Sequence, residues 1–209
     1  MGGVLNSFGN FSGTGSGGGG GAPTPDISYY RKTGSDTIER WYSSWISYTT
    51  PTSTVQNRSQ LRSIPFIVSK TITLDRIGME ITTGGSAGSL VRLGIYASTN
   101  SIPDALVLDA GTIAGDSATF QSIVINQTLT AGLYWLTSIH NSLASITFRA
   151  YNAAGIPAVL GVPSALGNTA PATQYSSVFV YDVLPANYDY SSFAANVISP
   201  PIISVRLSA

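Results

Sequence analysis

The sequence predicts an all-β protein, a jelly-roll-like antiparallel β-sandwich carrying an extended Gly-rich N-terminal arm. Three observations lead there. Between Leu74 and Leu136 the chain reads LDRIGMEI, VRLGIYAS, LVLDAGT, FQSIVI and TLTAGLYWL, apolar bursts too short and too rich in Val, Ile and Tyr to compete as helices. Gly, Pro, Ser, Asn and Asp separate the bursts at the spacing of sandwich turns. Charged residues make up only 10% of the chain, against a usual share of roughly 25%, so much of the surface is Ser, Thr, Asn and Gly or is covered by protein.

Residues 1–27 are of low complexity and end in the stiffer Pro23–Pro25 segment. Gly13, Gly15 and Gly18 spell G-x-G-x-x-G, yet no strand precedes them and no helical pattern follows, so the dinucleotide fingerprint fails on context. The natural role of such a segment is an arm that anchors the chain to a partner, with Val4, Leu5, Phe8 and Phe11 as the partner-binding side chains.

Residues 28–60 form an aromatic-rich extended segment with Tyr29, Tyr30, Trp41, Tyr42, Trp45 and Tyr48 in a polar context. Trp41 and Trp45 alternate with Ser43 and Ser47 as in a strand, and the Ser and Thr residues weaken the competing helical spacing. Tyr and Trp rings bury large area while keeping a polar tip. Tyr29, Tyr30, Trp41 and Trp45 therefore have three readings: cover for one end of the core, an inter-subunit interface, or stacking platforms for a glycan.

The sandwich domain is expected over 61–209. Ile64, Phe66 and Val68 alternate around Pro65, which favours a strand edge or start. Ile72 and Leu74 lie on one parity and Ile77, Met79 and Ile81 on the other, so a bulge is expected at Asp75-Arg76. GGSAG turns the chain at Gly84 to Gly88; Val91, Leu93, Ile95 and Ala97 then face inward, with Arg92 and Tyr96 outward. A loop is expected over Asn100–Asp104, and a short strand from Leu106 to Leu108 ends at Asp109-Ala110-Gly111. Phe120 to Asn126 and Leu133 to His140 follow; the second is apolar on both faces at its start, which marks a central or doubly covered strand. Ile146, Phe148 and Ala150 give another strand. After a long loop over 152–176, the last strands are expected at Val178–Tyr181 and Ile202–Leu207, the final one pairing with an early strand.

The residue census is poor in chemistry. Lys+Arg and Asp+Glu balance at 10 each, which provides no field for nucleic acid or an anionic membrane, and no apolar run reaches the length of a membrane helix. There is no cysteine and a single histidine, His140, expected to be a satisfied strand-end imidazole. No metal site of the usual His and Cys kind, no G-x-S-x-G elbow and no facing glutamate pair can be assembled. The expectation is a protein that is not an enzyme and takes no cofactor or metal.

At DRIGMEIT, VRLGIYAS, ALVLDAGT and TLTAGLYWL the chain resembles a β-sandwich module of tailed-bacteriophage virion proteins, of tail-fibre, minor-tail or capsid-decoration type. The matching segments are Pro65 to Ile81, Arg92 to Tyr96, Pro103 to Thr112 and Gly132 to Leu136, within about residues 61–140. The resemblance implies a structural protein on the virion surface, assembled as a homotrimer and anchored by its arm to other capsid or tail proteins. As a tail fibre or a capsid cement protein it would display the sandwich outward. The alternative from a different class is a carbohydrate-binding module that recognises a host surface glycan.

Overall fold

The computed structural model describes residues 39–44, 50–153, 160, 172–196 and 198–208. Among them the chain forms twelve strands: β1 (Trp41–Tyr42), β2 (Thr52–Val55), β3 (Gln60–Val68), β4 (Ile72–Thr83), β5 (Leu90–Thr99), β6 (Ile102–Ala114), β7 (Phe120–Leu129), β8 (Gly132–His140), β9 (Thr147–Ala150), β10 (Gln174–Val178), β11 (Ala194–Asn196) and β12 (Ile203–Leu207). One sheet runs β1-β12-β4-β9-β2, with β7 also paired to β4; the other runs β11-β10-β3-β8-β5-β6. The chain switches between the sheets repeatedly, β3 to β4, β4 to β5, β6 to β7 and so on, which gives the jelly-roll-like antiparallel sandwich its connectivity.

The two inner faces meet in one apolar core. Ile64, Phe66 and Val68 of β3, Val91, Leu93 and Ile95 of β5 and Leu136 of β8 pack against Leu74, Ile77, Met79 and Ile81 of β4, Phe148 of β9 and Ile203, Val205 and Leu207 of β12. Each such side chain taken fully from water contributes about 1.5 to 3 kcal/mol, so this layer dominates the fold's stability. The expected bulge is present: against β12 the adjacent Arg206 and Leu207 pair with Arg76 and Leu74, leaving Asp75 as the extra residue, and the β4–β7 register shifts at the same place. It lets Leu74 and Ile77 both face the core and carries Asp75 outward. Pro65 sits opposite Trp135 of β8, and the other neighbour, β10, pairs β3 only from Gln60 to Ser63. The proline thus occupies a stretch of β3 with one partner strand.

Strand β8 is central between β3 and β5, and both its faces are covered. Its outer face belongs to a second apolar cluster of Leu61, Tyr96, Trp135, Ile139, Leu184 and Tyr188. Here alternation misplaces one residue: Tyr96, expected outside, is fully buried, because the segment 179–193 crosses the outer face of this sheet. That strap is bonded to the start of β3 and to the edge strand β6. Phe179 N–H donates to Ser59 O at 3.0 Å, and Leu106 N–H donates to Ala186 O at 2.8 Å. Gly94 makes the crossing possible, since a Cβ there would collide with Leu184 Cδ1 and lie 2.7 Å from Leu108 O.

Three further expectations are corrected. The loop over Asn100–Asp104 is a two-residue hairpin: Thr99 pairs with Ile102, and Asn100 and Ser101 hold φ of 52° and 63°, the pattern of a type I′ turn whose twist matches its strands. Strand β6 then continues past Asp109 to Ala114, with register shifts against β5 and φ of 93° at Gly111 absorbing the irregularity. The strand expected at Val178–Tyr181 lies earlier, at Gln174–Val178; Phe179 and Tyr181 instead belong to the strap and pack against the second apolar cluster. The final strand pairs with the early strands β4 and β1.

Candidate functional site

The outer face of the β1-β12-β4 sheet carries the one aromatic candidate that can be placed. Trp41 pairs with Arg206 and Tyr42 with Val205, so the segment before residue 61 enters the sheet beside its last strand. Thr52–Val55 does the same on the far side, pairing with β9. The Trp41 ring meets Phe120 edge to face, with centroids 4.9 Å apart at 77°, and the Arg206 guanidinium lies 5.9 Å from its centroid. Contact between rings on β1 and β7 must span β12 and β4. Gly78 on β4 leaves the room: a Cβ there would lie 3.0 Å from Phe120 Cζ and 2.5 Å from Gln121 O.

Charge frames this aromatic pair. Arg206 donates to both oxygens of Asp75 at 2.9 Å and through Nη1 to Glu39 Oε1 at 2.5 Å. The bonds from Asp75 first, and the nearby carboxylate charges, raise the Arg206 pKa above its ordinary value. Arg149 binds Glu80 through Nε at 3.0 Å and Nη2 at 2.7 Å, and these hydrogen bonds hold the Glu80 carboxyl below its usual range. Phe120 remains 44% exposed and Val124, in register with Arg76, 69%. The result is an open aromatic-apolar patch beside paired carboxylates and guanidiniums. Such a surface stacks on flat apolar faces and offers directional hydrogen bonds around them; Arg206 already stands over the Trp41 ring.

His140 does a different job. Its Nδ1 accepts the Ser142 N–H at 3.1 Å, which fixes the tautomer, and its Nε2–H donates to Gln56 O at 2.8 Å. Burial lowers its pKa, as do the nearby Arg62 and Arg58, against a smaller opposing effect of the Gln56 carbonyl. Gln56 donates to Gln60 O and Ser138 O and accepts from Ser138 Oγ. This network ties the segment before β3 to β8 and spends both imidazole nitrogens on backbone. Among the described residues no group of three or more His, Cys, Asp or Glu is arranged to hold a metal ion.

Val4, Leu5, Phe8, Phe11, Tyr29, Tyr30 and Trp45 lie outside the described residues, as does most of the loop over 152–176. Trp41 is thus the placed member of the expected aromatic set. Phe120, Arg206, Asp75 and Gly78 were not foreseen beside it. The bulge at Asp75 was the available signal, because it places a carboxylate on the outer face, but only the pairing of β1 with β12 brings Trp41 to it. No protein-family model matches the chain, and a search of curated proteins returns no match.

Proposed function

We propose that the chain is a non-enzymatic structural protein of a tailed-phage virion, anchored by residues 1–27 and displaying its sandwich on the particle surface as a tail-associated or capsid-decoration subunit. The observation that carries this reading is how the chain following the arm joins the sandwich. Glu39 and Trp41 are fastened to Arg206, and through it to Asp75, by charge-assisted hydrogen bonds, strand pairing and ring contact. An arm that docks elsewhere needs its root fixed to the body, and this clamp supplies that. The engagement of His140 with backbone also favours a scaffold over a catalyst, and the exposed Val178, Val180 and Val183 offer apolar area for contacts within a homotrimer. Other capsid or tail proteins are the partners, with no role for nucleic acid, membrane insertion or a cofactor.

The test is incorporation. Deleting residues 2–21 is expected to leave the folded sandwich intact by circular dichroism while abolishing its presence in purified particles. Normal incorporation of the truncated chain would refute anchoring. Cryo-EM of complete particles separates the locations: copies at capsid local axes mean decoration, and three or six sets at the tail mean a fibre.

The second reading, a glycan-binding module for a host surface, is favoured by the open Phe120 and Val124 beside Trp41. Under it, Phe120→Ala abolishes binding to host polysaccharide with an unchanged melting temperature; an empty glycan array for the wild type would sink it.

A further inference from the structure

The interior of the sandwich has a polar end whose hydrogen bonds do not close. Arg62 shares the parity of Ile64, Phe66 and Val68, so its side chain enters between the sheets; it is only 3% exposed. Its Nε and Nη2 both donate to one oxygen, Gln60 Oε1, at 3.2 and 3.0 Å, and Nη1 has no partner. Burial alone lowers its pKa to about 10, with no carboxylate contributing. Opposite it on β10 is Ser176, and two residues along on the same face is Gln174, fully buried, with neither Nε2 nor Oε1 bonded. Residues in this diagonal relation across an antiparallel pair are within reach of each other when the side chains are long.

The surrounding polar groups do not close the gap. Ser176 Oγ already bonds Gln60 and Asn196, and Ser138 and His140 are occupied with Gln56. What remains is a fixed pattern: an uncompensated guanidinium N–H, an amide N–H and an amide oxygen. The guanidinium requires an acceptor carrying negative charge, the amide N–H an acceptor, and the amide oxygen a donor. A carboxylate or sulfate supplies only the acceptors, whereas water supplies both functions but leaves the charge unpaired.

We propose that this end of the sandwich, between β3, β8 and β10, is a binding site for a small hydroxylated oxyanion of the hydrogen-phosphate class. Its P–O oxygens accept from Arg62 Nη1–H and Gln174 Nε2–H, and its P–OH donates to Gln174 Oε1. Exchange of the amide's two ends leaves the requirement unchanged, because both are unbonded.

The test is calorimetric unfolding of the full chain at pH 7 and constant ionic strength, with inorganic phosphate replacing chloride and with sulfate as the control. Unfolding and refolding give the buried site access to the ion. The melting temperature of the wild type is expected to rise saturably, by about 5 to 10 °C once phosphate is roughly a hundred times its Kd, and less in sulfate. Gln174→Leu is expected to lose most of this phosphate-dependent rise, and in chloride to melt above the wild type because it removes an unbonded buried amide. Arg62→Met is the second variant, with the same loss expected. Should it fail to fold, the same phosphate-dependent melting of wild type and Gln174→Leu decides, with a rise in the wild type only in support. Equal rises in wild type and variants, equal responses to phosphate and sulfate, or no response in the wild type would each overturn the proposal.

Discussion

Arg206 and Asp75 meet fork to fork across β12 and β4: Nε donates to Oδ1 and Nη2 to Oδ2, both at 2.9 Å. The Arg206 side chain is 12% exposed and that of Asp75 30%, so the pair is better shielded than an ordinary surface bridge. Asp75→Asn is expected to cost about 1 to 2 kcal/mol, above the usual value for an exposed pair, because the bidentate geometry is lost in a partly buried setting. Glu39 is 64% exposed, and Glu39→Gln is expected to change stability by less than about 0.5 kcal/mol. Urea unfolding midpoints at constant m check both; equal effects would mean the bulge carboxylate has no special standing.

Gly94 and Leu184 give a packing test. Gly94→Ala places a methyl group against Leu184 and Leu108 O, and is expected to destabilise by about 1 to 3 kcal/mol through overpacking. Leu184→Ala alone opens a cavity and is expected to cost about 2 to 4 kcal/mol. The double variant should lose clearly less than the sum, since the new methyl group partly fills the space vacated. Simple additivity would show that the strap does not bear on Gly94.

The Asn100-Ser101 turn is one substitution from the preferred Asn-Gly sequence. Ser101 holds φ of 63°, where glycine carries no steric penalty, so Ser101→Gly is expected to stabilise by about 0.5 to 1 kcal/mol. A melting temperature that falls would mean that the turn is of another kind in solution.

His140 makes stability depend on pH. Its folded pKa is below the ordinary 6.5, with burial the largest cause, so between the folded and unfolded values the unfolded chain binds more protons. Its contribution is complete above about pH 6.5 and is lost as the pH falls below that value towards the folded pKa. The wild type is expected to lose more stability between pH 7.5 and 5 than His140→Gln does. Parallel pH profiles from chemical unfolding would rule this out.

The stretch from Pro65 to His140 was legible because its strands bury one face in an apolar core and so alternate. Even the bulge at Asp75 is written as a change of parity between Leu74 and Ile77. Where the same signal failed, two causes acted. Tyr96 lies on an outer face that a distant segment covers, and no local pattern announces a strap. Gln174–Val178 pairs as a strand while placing Gln174 and Ser176 inside, so its polarity reads as loop. The Trp41 patch was half legible: its aromatic content is evident in the sequence, but its neighbours Arg206 and Phe120 come from positions far along the chain, brought together by register alone.

The pairing of β1 with β12 also sets a mechanical path. Trp41 lies opposite Arg206 and Tyr42 opposite Val205, so tension pulling on the chain ahead of Glu39 reaches β12 through two residue pairs and the Arg206 clamp. Strand β12 is in turn paired to the centre of the sheet at β4. The load therefore falls first on β1, the end strand of its sheet. Held by two residue pairs, β1 is expected to release before β12, a short sacrificial latch whose opening spares the core.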